Sequence, residues 1–100
     1  LIDKGADVNA SDIYGLNPLL YASQNGCVAI VRLLIDNKAD INTSDQYRRT
    51  PLSLASRSGH GAVVRLLINN GADINTSDIF GSTPLTWALK LGHARVASIL

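Results

Sequence analysis

The sequence predicts an all-α solenoid: stacked helix-turn-helix units joined by short β-hairpin loops. Three observations carry that prediction. Residues 45–77 match residues 12–44 at 20 of 33 positions, and the same pattern resumes at Asp78 and runs to Leu100. A fixed period of about 20 to 50 residues marks stacked repeats, because each unit has an apolar face that only a neighbour can cover. Each copy also opens an apolar segment with a cap and a proline, Asn17-Pro18, Thr50-Pro51 or Thr83-Pro84, and breaks it at Gly26, Gly59 or Gly92. Asn and Thr satisfy the free N–H groups of a helix start, and proline is pre-set for the first helical position. Finally, a second apolar segment with helical spacing follows each break.

Taken in order, residues 1–11 read as the end of a repeat, with Gly5 closing a helix and residues 7–9 leading away as a connector. In the first full copy, residues 12–44, a short helix runs to Gly26 and a second from about Val28 to Asn37, with Ile30, Val31, Leu33 and Leu34 as its buried stripe. Lys38 stands where the flanking copies have Gly5 and Gly71, which predicts a looser or differently closed helix end. The second copy, residues 45–77, repeats the pattern with the stripe Val63, Val64, Leu66 and Leu67 and with Gly71 as the closing residue. Residues 40–49 and 73–82 are polar and read as extended arms joined by a tight turn. Gly15 and Gly81 fall in that turn; Arg48 replaces them in the middle copy, a change expected to alter the turn type. The last copy, residues 78–100, stops within its second helix, so its outer face is expected to be apolar and bare. Apolar residues at both ends suggest a segment of a longer array, in one domain spanning residues 1–100.

Bulk properties exclude several classes of function. A net charge of +1 supplies no field to steer nucleic acid, and all eight acidic residues are Asp. The apolar run at residues 62–68 is interrupted by Arg65 and is far shorter than the roughly 20 residues of a membrane span. One cysteine, Cys27, excludes an internal disulfide and favours a reducing setting, so an intracellular, cytoplasmic location is expected.

The capped T-P-L, the G-H break, the apolar helix and G-A-D-[VI]-N together resemble the ankyrin repeat. The residues are TPLS at 50–53, TPLT at 83–86, Gly59-His60, Gly92-His93 and GADIN at 71–75. The resemblance spans the chain. A tetratricopeptide array has a similar period but lacks the hairpin chemistry. No copy keeps the histidine of the family's T-P-L-H; Leu20, Ser53 and Thr86 stand there, so the hydrogen bonds that this His makes are lost or partly replaced.

Catalytic, metal and cofactor sites are not expected. Cys27, His60 and His93 occupy one phase of the repeat, so successive members are separated by about the 8–10 Å between packed helices. Zinc instead draws its ligands to within about 2.0–2.3 Å of one ion. Asp7, Asp40 and Asp73, like Asp12, Asp45 and Asp78, recur as turn residues that bond backbone N–H groups. Asn9, Asn42 and Asn75 resemble the acceptor pattern of asparagine hydroxylases but read first as turn residues.

The informative positions vary while the framework repeats. The loop tips carry Ile13, Tyr14, Gln46, Tyr47, Ile79 and Phe80, followed by Leu16, Arg49 and Ser82. The first-helix ends carry Gln24, Asn25, Arg57, Ser58, Lys90 and Leu91. Resemblance to ankyrin arrays implies that these residues line one concave surface and contact a protein or peptide partner, and Tyr, Phe and Arg are types enriched at binding hot spots. The middle copy is the most polar there and is expected to be the polar centre of the face, whereas Trp87, in phase with Tyr21 and Leu54, reads as packing. The expected function is a non-catalytic protein-interaction scaffold without affinity for nucleic acid or membranes. The alternative is a targeting or regulatory segment of a larger enzyme or signalling protein. Flanking repeats in the parent chain are the other expected partner.

Overall fold

The computed structural model describes residues 7–100. Within them lie six helices: α1 (Pro18–Asn25), α2 (Val28–Asp36), α3 (Pro51–Ser58), α4 (Gly61–Asn69), α5 (Pro84–Lys90) and α6 (Ala94–Ile99). The first helices α1, α3 and α5 pack side by side as one layer. The second helices α2, α4 and α6 form another, and each pair closes on itself. The described body is elongated, 39 × 25 × 20 Å. The expected closure at Gly5 lies outside the described residues.

Each first helix starts where the cap-proline pairs place it. The N–H of Leu20 donates to Asn17 Oδ1 at 3.1 Å, that of Ser53 to Thr50 Oγ1 at 3.2 Å and that of Thr86 to Thr83 Oγ1 at 3.2 Å. Ser53 makes its bond reciprocal, its Oγ accepting from the Thr50 N–H at 2.8 Å, so a serine in the histidine position of the motif strengthens the helix start. Asn17 does a second job: its amide donates to Thr43 Oγ1 at 2.9 Å. Thr50 has no amide to offer, and Thr76 Oγ1, one repeat after Thr43, is buried without a partner. The buried hydroxyls of Ser23 and Ser56, also one repeat apart, are unpartnered as well.

The core lies between the two layers. Ala22, Ala55 and Ala88, one per repeat, let the first helices approach closely, while Leu19, Leu52, Val31, Val64, Leu34 and Leu67 fill the space beyond. Burying a Leu or Val side chain contributes about 1.5–3 kcal/mol, so these few residues hold the stack. Ile30, expected in the buried stripe, is 44% exposed. Its counterparts Val63 and Val96 are buried, and the difference is that no described second helix precedes α2.

Two local expectations are corrected. Lys38 does not loosen the end of α2. It takes a left-handed φ of 69°, and the next N–H, that of Ala39, reaches Leu34 O at 3.0 Å, as that of Ala72 reaches Leu67 O in the neighbouring copy. Arg48 likewise leaves the turn type unchanged. Its φ is 62° beside 79° for Gly15 and 78° for Gly81, and all three N–H groups return to the aspartate carbonyl three residues earlier at 3.0 Å. The stack imposes the geometry, and a side chain replaces glycine at a conformational cost. The arms between units turn as hairpins but form no strand among the described residues, since two backbone bonds join the ends of each tip.

Replacing Lys38 or Arg48 with glycine should therefore raise the unfolding free energy by about 1 kcal/mol at either position, the left-handed penalty of an L-residue less the chain entropy that glycine adds. Urea melts of K38G, R48G and the unaltered chain check this; unchanged midpoints would contradict it.

Candidate partner-binding face

The face is built on one carboxylate per repeat. Oδ1 of Asp12 accepts from the N–H groups of Tyr14 and Leu16, both at 2.9 Å. Asp45 Oδ1 does the same for Tyr47 and Arg49 at 2.9 Å, and Asp78 Oδ1 for Phe80 and Ser82 at 2.9 and 3.0 Å. An aspartate that takes two N–H groups of its own loop folds the tip without help from side-chain packing. The exposed residues at the apex are thereby fixed in direction. Successive tips are also joined: the N–H of Gln46 donates to Tyr14 O at 3.4 Å and that of Ile79 to Tyr47 O at 3.0 Å.

The second carboxylate oxygen ties each tip to the body. Asp12 Oδ2 accepts from the Tyr21 hydroxyl at 2.7 Å, and Asp78 Oδ2 from the Trp87 indole N–H at 3.0 Å. Tyr21 and Trp87 share a phase with Leu54, which has nothing to donate. In the middle copy Arg49 takes over, its Nε 2.7 Å from Asp45 Oδ2, so a loop cation substitutes for a helix donor.

These bonds set the acidity of two carboxyls. The Tyr21 hydroxyl foremost, then the Leu16 N–H, holds Asp12 below the usual carboxylate range, desolvation opposing them and the Tyr14 N–H assisting. The same bond raises Tyr21 above the usual phenol value. Burial pushes Asp78 upward, but the Ser82 N–H, the Trp87 indole, the Phe80 N–H and the nearby Arg49 charge outweigh it, and its acidity ends below the usual value.

Between the middle and last copies the tips and helix ends enclose an open groove of about 380 Å³, lined by Tyr47, Arg49, Arg57, Phe80 and Trp87. The Tyr47 and Phe80 rings stack with centroids 6.5 Å apart and planes 22° from parallel. The guanidinium of Arg49 sits 5.0 Å from the Tyr47 ring centre, and that of Arg57 5.0 Å from the Trp87 ring. Lys90 approaches the same indole at 5.7 Å. Each such contact contributes about 0.5–1 kcal/mol at an exposed site, enough to order the cations without hiding them.

The positions expected to face a partner divide accordingly. Tyr47, Arg49, Arg57 and Phe80 converge on the groove, with Lys90 beside its tryptophan. Ile13, Tyr14, Gln46 and Ile79 are exposed at the tips; Gln24, Asn25, Ser58 and Leu91 are exposed at the first-helix ends. Leu16 and Ser82 are half-buried, their N–H groups bound to the tip aspartates. Trp87, expected to pack, is half-buried; its ring also walls the groove, and its N–H anchors Asp78. The signal for it is an aspartate followed nine residues later by Tyr or Trp, present at Asp12/Tyr21 and Asp78/Trp87 and broken at Leu54.

His60 and His93 serve architecture. His60 Nε2 lies 3.0 Å from Gln24 O and His93 Nε2 3.0 Å from Arg57 O, so each ring bridges to the preceding repeat. A Cβ placed on Gly26 or Gly59 would come within 2.6 or 2.7 Å of the facing ring, which makes glycine obligatory there. Cys27, in the same phase, is exposed. The asparagines also reach across: Asn9 Oδ1 accepts from the Asp40 N–H and Asn42 Oδ1 from the Asp73 N–H, both at 2.8 Å. Among the described residues no group of three or more His, Cys, Asp or Glu is placed to hold a metal ion, and no helix is long and apolar enough to cross a membrane.

Compared with protein-family models, the chain matches ankyrin repeats in three copies, over residues 1–78 and 40–100. A comparison with curated proteins returned no match.

A depressed Asp78 stabilises the fold above its unfolded value, near 3.9 for Asp, and that contribution disappears as the pH falls through the lower folded value. Asp78→Asn should lower stability by about 1–3 kcal/mol at neutral pH and should lose less than the unaltered chain on acidification below about pH 4. Parallel urea melts across that range check it; identical pH slopes would show that the Asp78 carboxylate holds nothing in place.

Proposed function

The chain belongs to the ankyrin-repeat family, whose repeats are generally protein–protein interaction modules, and we propose from that premise that it is a non-catalytic scaffold holding a protein or peptide partner with its hairpin tips and the concave ends of its first helices. The observation that carries this reading is the exposure of large apolar side chains on tips whose backbones are fixed. Ile13 is 88% exposed and Phe80 72%, each directly following or two residues after an aspartate that folds its loop. A mobile loop loses entropy when it binds; these tips are ordered beforehand, which lowers the cost of association. Contiguous exposed apolar surface rimmed by polar residues marks an interaction site.

A second surface favours a second partner. Leu85 and Leu89 on α5 are 41% and 65% exposed, whereas Leu52 and Ser56, one repeat earlier on α3, are buried beneath α5. The outer side of α5 therefore offers a further ankyrin unit the same contact that α3 offers α5.

Replacing Tyr14, Tyr47 and Phe80 together with alanine should weaken capture of a partner by about tenfold or more, the scale of a lost aromatic hot spot, with the circular dichroism spectrum unchanged. The measurement is the affinity of the purified partner for the immobilised chain, after its recovery with the unaltered chain. Undiminished affinity would assign the partner to another face.

A further inference from the structure

We infer that the groove between the middle and last repeats receives an aromatic side chain of a partner peptide together with an acidic residue beside it. The inference rests on the reading of this face as the partner-binding one and adds the chemistry of what it binds. Three observations carry it.

The first is size. A volume of about 380 Å³ is near the lower limit of ligand pockets, enough for one or two side chains and open along one side for the chain that bears them. The second is the wall. Tyr47 and Phe80 stack on each other, and Trp87 is held by its bond to Asp78, so an incoming ring meets aromatic surfaces already oriented for offset or edge contact.

The third is charge. Arg57 and Lys90 are exposed and both lie against the face of Trp87. Among the described residues the sole ion pair is Arg49 with Asp45, so neither cation is neutralised. The two carboxylates nearest the groove cannot serve them. Asp45 and Asp78 are 6% and 5% exposed, and both oxygens of each already accept from loop N–H groups and from Arg49 or the indole. The groove thus presents uncompensated positive charge beside an aromatic wall, the complement of a ring flanked by carboxylates. A stacked nucleobase with its phosphate has related chemistry, but a single-strand site tracks the backbone with a continuous basic groove, and this chain has a net charge of +1.

Trp87 is the only tryptophan, so its emission reports on the groove alone. The full chain would be titrated with acetyl-Glu-Phe-Glu-amide, acetyl-Gln-Phe-Gln-amide, acetyl-Glu-Ala-Glu-amide and an oligothymidylate. The first should bind about tenfold more tightly than the second and third, the factor expected for a charge-assisted bond or a stacked ring. Its affinity should fall with salt. Arg57→Glu and Lys90→Glu should each reduce it about tenfold, with thermal melts confirming that both variants fold. Equal affinity for the neutral peptide, no saturable response to the acidic one, or tighter binding of the oligonucleotide would overturn the inference. If the peptides fail while the triple alanine variant still loses its partner, the groove chemistry is wrong and the face stands. If that variant keeps its partner, the face reading falls and this inference with it.

Discussion

The carboxylate at the start of each repeat is the interaction on which the functional surface depends. One oxygen takes two N–H groups of its own loop, and the other takes a donor from Tyr21, Arg49 or Trp87. Hairpin loops of this length cannot hold themselves by strand pairing, since two backbone bonds close each tip. The aspartate supplies the missing constraint. It also links tip and helix, so the aromatic residues at the apex and the groove wall behind them are positioned by the same group. The middle repeat shows how strict the requirement is. Where Leu54 removed the helix donor, an arginine restores it from the loop.

Around these anchors the stack is joined by bonds of fixed period. Histidine rings reach back to the carbonyls of Gln24 and Arg57, and asparagine side chains reach forward to the N–H groups of Asp40 and Asp73. Each is a polar contact between neighbours one repeat apart, so stability accumulates by interface and not through one central core. The same regularity exposes its own defects. Thr76 is left without the donor that Asn17 gives Thr43, and Lys38 and Arg48 occupy conformations that glycine adopts freely. A framework able to force two L-residues into left-handed geometry is stiff enough to present a fixed surface.

The fold was legible because its signals are local and repeated. Caps, prolines and apolar spacing are written within a few residues of the structure they specify, and three copies read together cancel accidental matches. Lys38 and Arg48 misled because conformational preference is a property of one residue, whereas the turn there is imposed by neighbours on both sides. Part of the face was legible too: Tyr47, Arg49, Arg57 and Phe80 stood out by varying against a constant background, and they meet. Trp87 did not, because position in the repeat suggests burial and says nothing of a ring whose edge is bonded to Asp78 and whose face carries Arg57 and Lys90. The bridging of Asn9, Asn42, His60 and His93 was equally hidden, since a turn residue and a residue that spans two turns look alike in one sequence.

Whether the aspartate carboxylate fixes the tip is tested most directly by amide hydrogen exchange in Asp45→Ala. The Tyr47 and Arg49 amides, bound to Asp45 Oδ1 in the unaltered chain, should exchange about tenfold or more faster in the variant, while the interior amides of α3 and α4 keep most of their protection. Unchanged exchange at Tyr47 and Arg49 would show that the loop holds its shape without the carboxylate, contrary to the role assigned to it here.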